Sequence, residues 1–115
     1  MSIVPGSLYA QAGTVVVAAL DGAGIDKGEG KWFAQVSLTV EDGGGNPVGN
    51  VEVFYNFGGE TKKQKTNGNG QLTVKSETFE GGPDSVIFNI PRVNHPSYDA
   101  AGSLTSITIY APWAA

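Results

Sequence analysis

Polar and apolar residues alternate along most of this chain, and a period of two marks strands half buried against a core. The clearest run is Lys31 to Glu41. Trp32, Ala34, Val36, Leu38 and Val40 fall on one face, and Phe33, Gln35, Ser37, Thr39 and Glu41 on the other. Asn50 to Phe57 repeats the pattern, with Val51, Val53, Tyr55 and Phe57 on the apolar side and Glu52, Phe54 and Asn56 opposite. Shorter runs place Leu72 and Val74 inward within Gln71 to Lys75, and Val86, Phe88 and Ile90 inward within Ser85 to Ile90. In the last run, Leu104 to Tyr110, Ile107 and Ile109 face in and Tyr110 faces out. Gly13 to Leu20 also reads as strand, because Val15-Val16-Val17 is β-branched and stiff at χ1, which suits a pleated surface.

Turn residues punctuate these runs. Asp21-Gly22-Ala23-Gly24 stops the first strand and opens a loop to Gly30, and Asp42 to Pro47 forms a Gly/Asn/Pro turn. Gly58-Gly59 closes the next strand, and Asn67-Gly68-Asn69-Gly70 carries the strongest hairpin dipeptide twice. Residues 76–84 read as a loop ending in Gly81-Gly82-Pro83-Asp84, Pro91 ends the strand before it, and a polar connection runs from Arg92 to Ser103. Glu60 to Thr66, with Lys62, Lys63 and Lys65, reads as a polar edge strand, where lysine discourages pairing with other chains. No long window shows helical spacing. The pattern predicts an all-β, antiparallel sandwich of about seven strands with Greek-key connections. An up-and-down barrel is the alternative, but the unequal strands and the long connection after Pro91 favour the sandwich. One domain is expected over 13–112, after a lead-in at 1–12 with a short strand around Ser7 to Gln11, and before a tail at 113–115.

Composition narrows the function. The chain has 115 residues, 17 of them glycine and 6 proline, with 40% hydrophobic residues, enough for one core and no more. A net charge of −4 leaves no basic field for nucleic acid or anionic lipid. There is no cysteine, so disulfides, thiolate metal sites and thiol nucleophiles are excluded. No apolar stretch approaches the ~20 residues that span a bilayer, so no membrane insertion is expected. No signal peptide opens the chain.

Candidate chemistry is sparse. His95 is the one histidine, with Ser97 and Asp99 nearby, but no nucleophile elbow or metal-binding helix motif accompanies it. It reads as a loop imidazole bonded to backbone. Tyr98 reads as a rim tyrosine with its hydroxyl on backbone, and otherwise as a ligand contact. Calcium is the one ion left open, since Asp21, Asp26, Glu29, Asp42, Asp84 and Asp99 sit in predicted loops; its 6–8 oxygens would have to converge from several of them. No cofactor is expected otherwise. Phe33 and Phe54 fall opposite the core and are candidates for one exposed aromatic patch, with Gln35, Asn56 and Glu52 as polar partners for a sugar. Trp32 reads as core, and Trp113 as an anchor at a domain junction.

Three stretches resemble a known family. Lys31-Trp32-Phe33-Ala34-Gln35-Val36-Ser37-Leu38-Thr39-Val40-Glu41-Asp42 followed by Gly45-Asn46-Pro47-Val48-Gly49-Asn50-Val51-Glu52-Val53 is similar to the opening of bacterial immunoglobulin-like modules of the invasin and intimin type. Thr66 to Val74 resembles their next hairpin. Trp32, the Val86-to-Ile90 strand, His95 and Tyr98-Asp99 are closest to the C-terminal accessory domains of secreted bacterial proteases and other extracellular hydrolases. The Tyr98-Asp99 region departs from that pattern, because only Ala100-Ala101-Gly102-Ser103 follows where the family often carries a longer Asn/Asp-rich insertion. The resemblance implies an extracellular or cell-surface, non-catalytic module that holds or docks neighbouring domains of the same polypeptide. A carbohydrate-binding or adhesive module, with a polysaccharide or cell-surface ligand on Phe33, Phe54, Tyr98 or Trp113, is the alternative; a small hydrolase is the remote one.

Overall fold

A computed structural model describes residues 13–100 and 105–113. The lead-in with its expected strand, Leu104 and the last two residues lie outside the described residues. The strands, in chain order, are β1 (Thr14–Gly28), β2 (Lys31–Asp42), β3 (Glu52–Asn56), β4 (Lys62–Lys65), β5 (Gln71–Lys75), β6 (Phe79–Glu80), β7 (Ser85–Asn94), β8 (Asp99–Ala100) and β9 (Ser106–Tyr110). No helix occurs among the described residues. One sheet has the order β5-β2-β1-β8, with β6 also paired to β2; the other has the order β4-β3-β7-β9. Every pairing is antiparallel except the short one between β1 and β8. The protein is therefore all-β, with two sheets packed face to face.

The predicted inward faces make the core. Trp32, Ala34, Val36, Leu38 and Val40 of β2 are buried in one cluster with Val53 and Tyr55 of β3, Phe88 and Ile90 of β7 and Ile109 of β9. Full burial of each large side chain contributes roughly 1.5–3 kcal/mol, so Trp32, Phe88 and Ile109, the largest of those fully buried, dominate. Phe88 meets Tyr55 and Phe57, with ring centroids 5.8 and 5.1 Å away. Trp32 packs on Phe79 at 4.9 Å, and its indole N–H donates to the Pro83 carbonyl at 3.1 Å, so its one polar atom is satisfied inside the core.

The edge strand is where its lysines put it. All of β4 is exposed and pairs only with β3. Two of the nine strands, β6 and β8, are two residues long, which accounts for the excess over the expected number.

Four departures from the expected layout share a cause: a strand's partner is chosen at long range. First, Asp21 to Gly28 is strand, not loop, and β1 pairs with β2 as far as Gly28↔Lys31. Glu29 and Gly30 form the turn, both with positive φ (58° and 76°), as a two-residue hairpin of type I′ requires. The register slips at Ala18, so Val15 and Val17 point inward before it and Leu20, Gly22 and Gly24 after it. Second, Asn67 to Gly70 turns tightly, with Gly70 N–H on the Asn67 carbonyl at 3.0 Å, yet it joins β4 of one sheet to β5 of the other, so it is no hairpin. Third, Pro91 does not end β7. It sits where the β3–β7 register shifts between Phe54 and Asn56, an irregularity that tolerates a missing N–H. Fourth, the polar stretch after it begins as strand through Asn94, turns at 95–98 and forms β8 against β1.

The two sheets meet differently along their two sides. On one side β1 lies against β9: a Cβ on Gly22 would come within 2.6 Å of Ile109 Cγ1, and one on Gly24 would collide with the Tyr110 carbonyl oxygen. Glycine is required at both positions for this approach. On the other side, where β4 and β5 are the edges, Thr66, the one buried polar side chain among the described residues, ties the end of β4 to the 48–51 stretch that leads into β3. Its hydroxyl accepts from Val51 N–H and donates to the Val48 carbonyl, both at 3.0 Å. Beyond Thr66 that side opens.

Candidate functional site

Phe33 and Phe54 both point away from the core, but they do not form one patch. Phe33 is on β2 and Phe54 on β3, and those strands belong to different sheets, so the rings lie on opposite outer faces. The chain crosses between sheets at 43–51, and sequence alternation does not show such a crossing. Each ring is already attended by cations. Lys27 and Lys75 Nζ lie 5.9 and 5.6 Å from the Phe33 centroid; Lys63 Nζ and the Arg92 guanidinium lie 5.8 and 4.5 Å from that of Phe54. These are cation–π distances, and the cations compete with a sugar for the ring faces.

Two of the three polar partners expected around those rings, Glu52 and Asn56, are engaged as well. Glu52 accepts from Asn94 Nδ2 at 3.0 Å and pairs with Lys63 at 3.4 Å. The Asn94 hydrogen bond, then Lys63, holds its carboxyl below the ordinary value. Asn56 Oδ1 accepts from Gly58 N–H and Asn89 Nδ2, and Asn56 Nδ2 donates to Thr61. Gln35 is on the other sheet, beside Phe33.

His95 accepts a hydrogen bond at Nδ1 from Ser97 N–H at 3.0 Å, and its ring meets the edge of Tyr98 at 4.9 Å. Tyr98 is half-buried and packs against the core, and Asp99 N–H donates to the Gly13 carbonyl. The imidazole thus orders its own turn through backbone. Among the described residues no three acidic or histidine side chains gather. Asp26 instead binds Gly28 N–H at 2.7 Å beside the β1–β2 turn. Asp42 accepts from Gly44 and Asn46 N–H at 2.9 and 3.0 Å; these bonds, that from Asn46 foremost, hold its carboxyl below the ordinary value. Trp113 is 45% exposed and Tyr110 59%, both near the end of the described chain.

One concavity has no signature in the alternation of the sequence. It is a groove of about 260 Å³ on the open side of the sandwich. Tyr55, Asn56, Phe57, Glu60 and Lys62 form one wall; Lys75, Ser76, Glu77 and Phe79 form the other. Tyr55 and Phe57 come from the predicted core face of β3. Phe79 comes from a stretch read as loop, and an isolated aromatic in a polar loop was the available signal.

No family model, no curated protein and no solved structure matches the chain. The resemblance to bacterial immunoglobulin-like modules therefore rests on the motif residues alone.

Proposed function

We infer that the chain is a non-catalytic, immunoglobulin-like spacer or docking module of a bacterial extracellular or cell-surface protein. One observation carries this reading: the described chain begins at one pole of the sandwich and leaves at the other. Val15 pairs with Asp42 at the first pole, whereas Gly24, nine residues on, lies against Tyr110 at the end of β9. At the rise of a strand the two poles are about 30 Å apart. Modules with this polarity string end to end and hold their neighbours at a set distance. Strand order supports the Greek-key reading. β1–β2 and β3–β4 are hairpins in different sheets, β5 returns beside β2, β7 follows beside β3, and β9 beside β7. Exposed Trp113 and Tyr110 at the C-terminal pole suit a junction with a following domain.

Small-angle scattering on two copies fused head to tail tests the reading. The maximum dimension of the fusion should exceed that of one copy by about 30 Å or more. A fusion that folds back side by side, with little gain in length, would sink it.

A further inference from the structure

We propose that the groove on the open side of the sandwich binds a single neutral pyranose ring. This site is independent of the spacer role and distinct from the Phe33 and Phe54 faces. Its volume of about 260 Å³ lies just under the ~300–1,000 Å³ of small-ligand pockets, too small for a folded segment. Its aromatic rings are fixed from behind. Phe57 packs on Phe88 at 5.1 Å and Phe79 on Trp32 at 4.9 Å, so both line the groove without being free to collapse into it. Such rings offer apolar faces to the C–H face of a sugar.

The charges choose among small ligands. One wall carries an acid and a base, Glu60 and Lys62, and the other an acid, Glu77; Lys75 also lines that second wall, but its ammonium is turned to the outer face, 5.6 Å from the Phe33 centroid. Among the described residues Glu60, Lys62 and Glu77 enter no ion pair; the one salt bridge is Lys63–Glu52, on the outer face. An anion would meet a carboxylate on either wall, a cation would meet Lys62 beside Glu60, and a zwitterion would have to set its own carboxylate on Lys62 clear of Glu60. A neutral ring with several hydroxyls uses both kinds, donating to the Glu60 and Glu77 carboxylates and accepting from the Lys62 ammonium.

Amide NMR of the intact chain, titrated separately with the methyl glycosides of glucose, galactose, mannose and N-acetylglucosamine, tests this, with glycine betaine as a zwitterionic probe. At least one glycoside should give saturable shifts confined to residues 55–62 and 75–79, with a Kd on the order of 1 mM, as expected for so few ligand atoms. Lys62→Ala and Glu77→Ala, both at exposed positions, should each weaken it roughly tenfold with the spectrum of the core unchanged. Arg92→Ala, on the Phe54 face, should leave it unaltered. The proposal fails if no glycoside gives a saturable shift, if the shifts map to Phe33 or Phe54, or if betaine perturbs the groove more strongly than every glycoside.

Discussion

The two long sides of the sandwich solve the same problem in opposite ways. Along β1 and β9 the sheets close because two glycines remove the side chains that would hold them apart. On the side of β4 and β5 a hydroxyl pins only the Thr66 end, to the 48–51 connection, and farther on the sheets part around aromatic and charged side chains. The closed side gives rigidity between the poles. The open side gives a place for a ligand without weakening the core beneath it. In a chain with a single core, binding space is available where the two apolar faces need not meet, and the polar edge strand β4 marks that side.

The largest effect should come from filling the closed side. In an unhindered strand Gly→Ala gains roughly 0.5–1 kcal/mol of backbone entropy, but at Gly24 the new methyl meets main chain that cannot rotate away. Gly24→Ala should lose about 3 kcal/mol in urea unfolding, while Gly59→Ala on the open side, where a Cβ meets nothing within 4 Å, should change little. Equal effects from the two variants would erase the distinction between the sides.

Next in size is the pin. Thr66→Val keeps the shape but strands the buried Val51 N–H and Val48 carbonyl, at a cost of about 2 kcal/mol; Thr66→Ser should recover much of it. If Thr66→Val is as stable as the parent, something other than this hydroxyl holds the end of β4 to the 48–51 connection.

The smallest effect is pH dependence at the sandwich's surface. Asp42 and Glu52 have carboxyls held below their ordinary values. Each therefore adds stability that is present above the unfolded-state value and disappears as pH falls through the lower folded-state value. Melting temperature should be flat from neutrality to about pH 5 and decline below about pH 4. Asp42→Asn should shallow that decline, and an unchanged acid slope in this variant would remove the turn at 42–47 from the account.

Much of this architecture could be read from the residues. The inward sets of β2, β3 and β5 were correct position by position, and the lysines of β4 marked an edge. What misled were residues whose meaning is not local. Gly22 and Gly24 look like turn residues, yet they sit mid-strand because β9 passes close by. Asn67-Gly68 looks like a hairpin, yet the strands it joins pair elsewhere. Pro91 looks like a terminus, yet it occupies an irregular position that needs no N–H. Phe33 and Phe54 were rightly placed outward, but nothing in their spacing said that β2 and β3 part company into different sheets. The groove was the least legible feature, because its walls come from segments about twenty residues apart that are not paired.

The order of apolar and polar residues by itself determined that this chain makes strands and which side chains those strands turn inward, since the pleat alternates faces within a single stretch of backbone. Tertiary structure alone decided which strands are neighbours, how far β1 extends and where the sheets close or gape. Those outcomes depend on contacts between distant segments, and one irregular residue such as Ala18 is enough to turn the rest of a strand over.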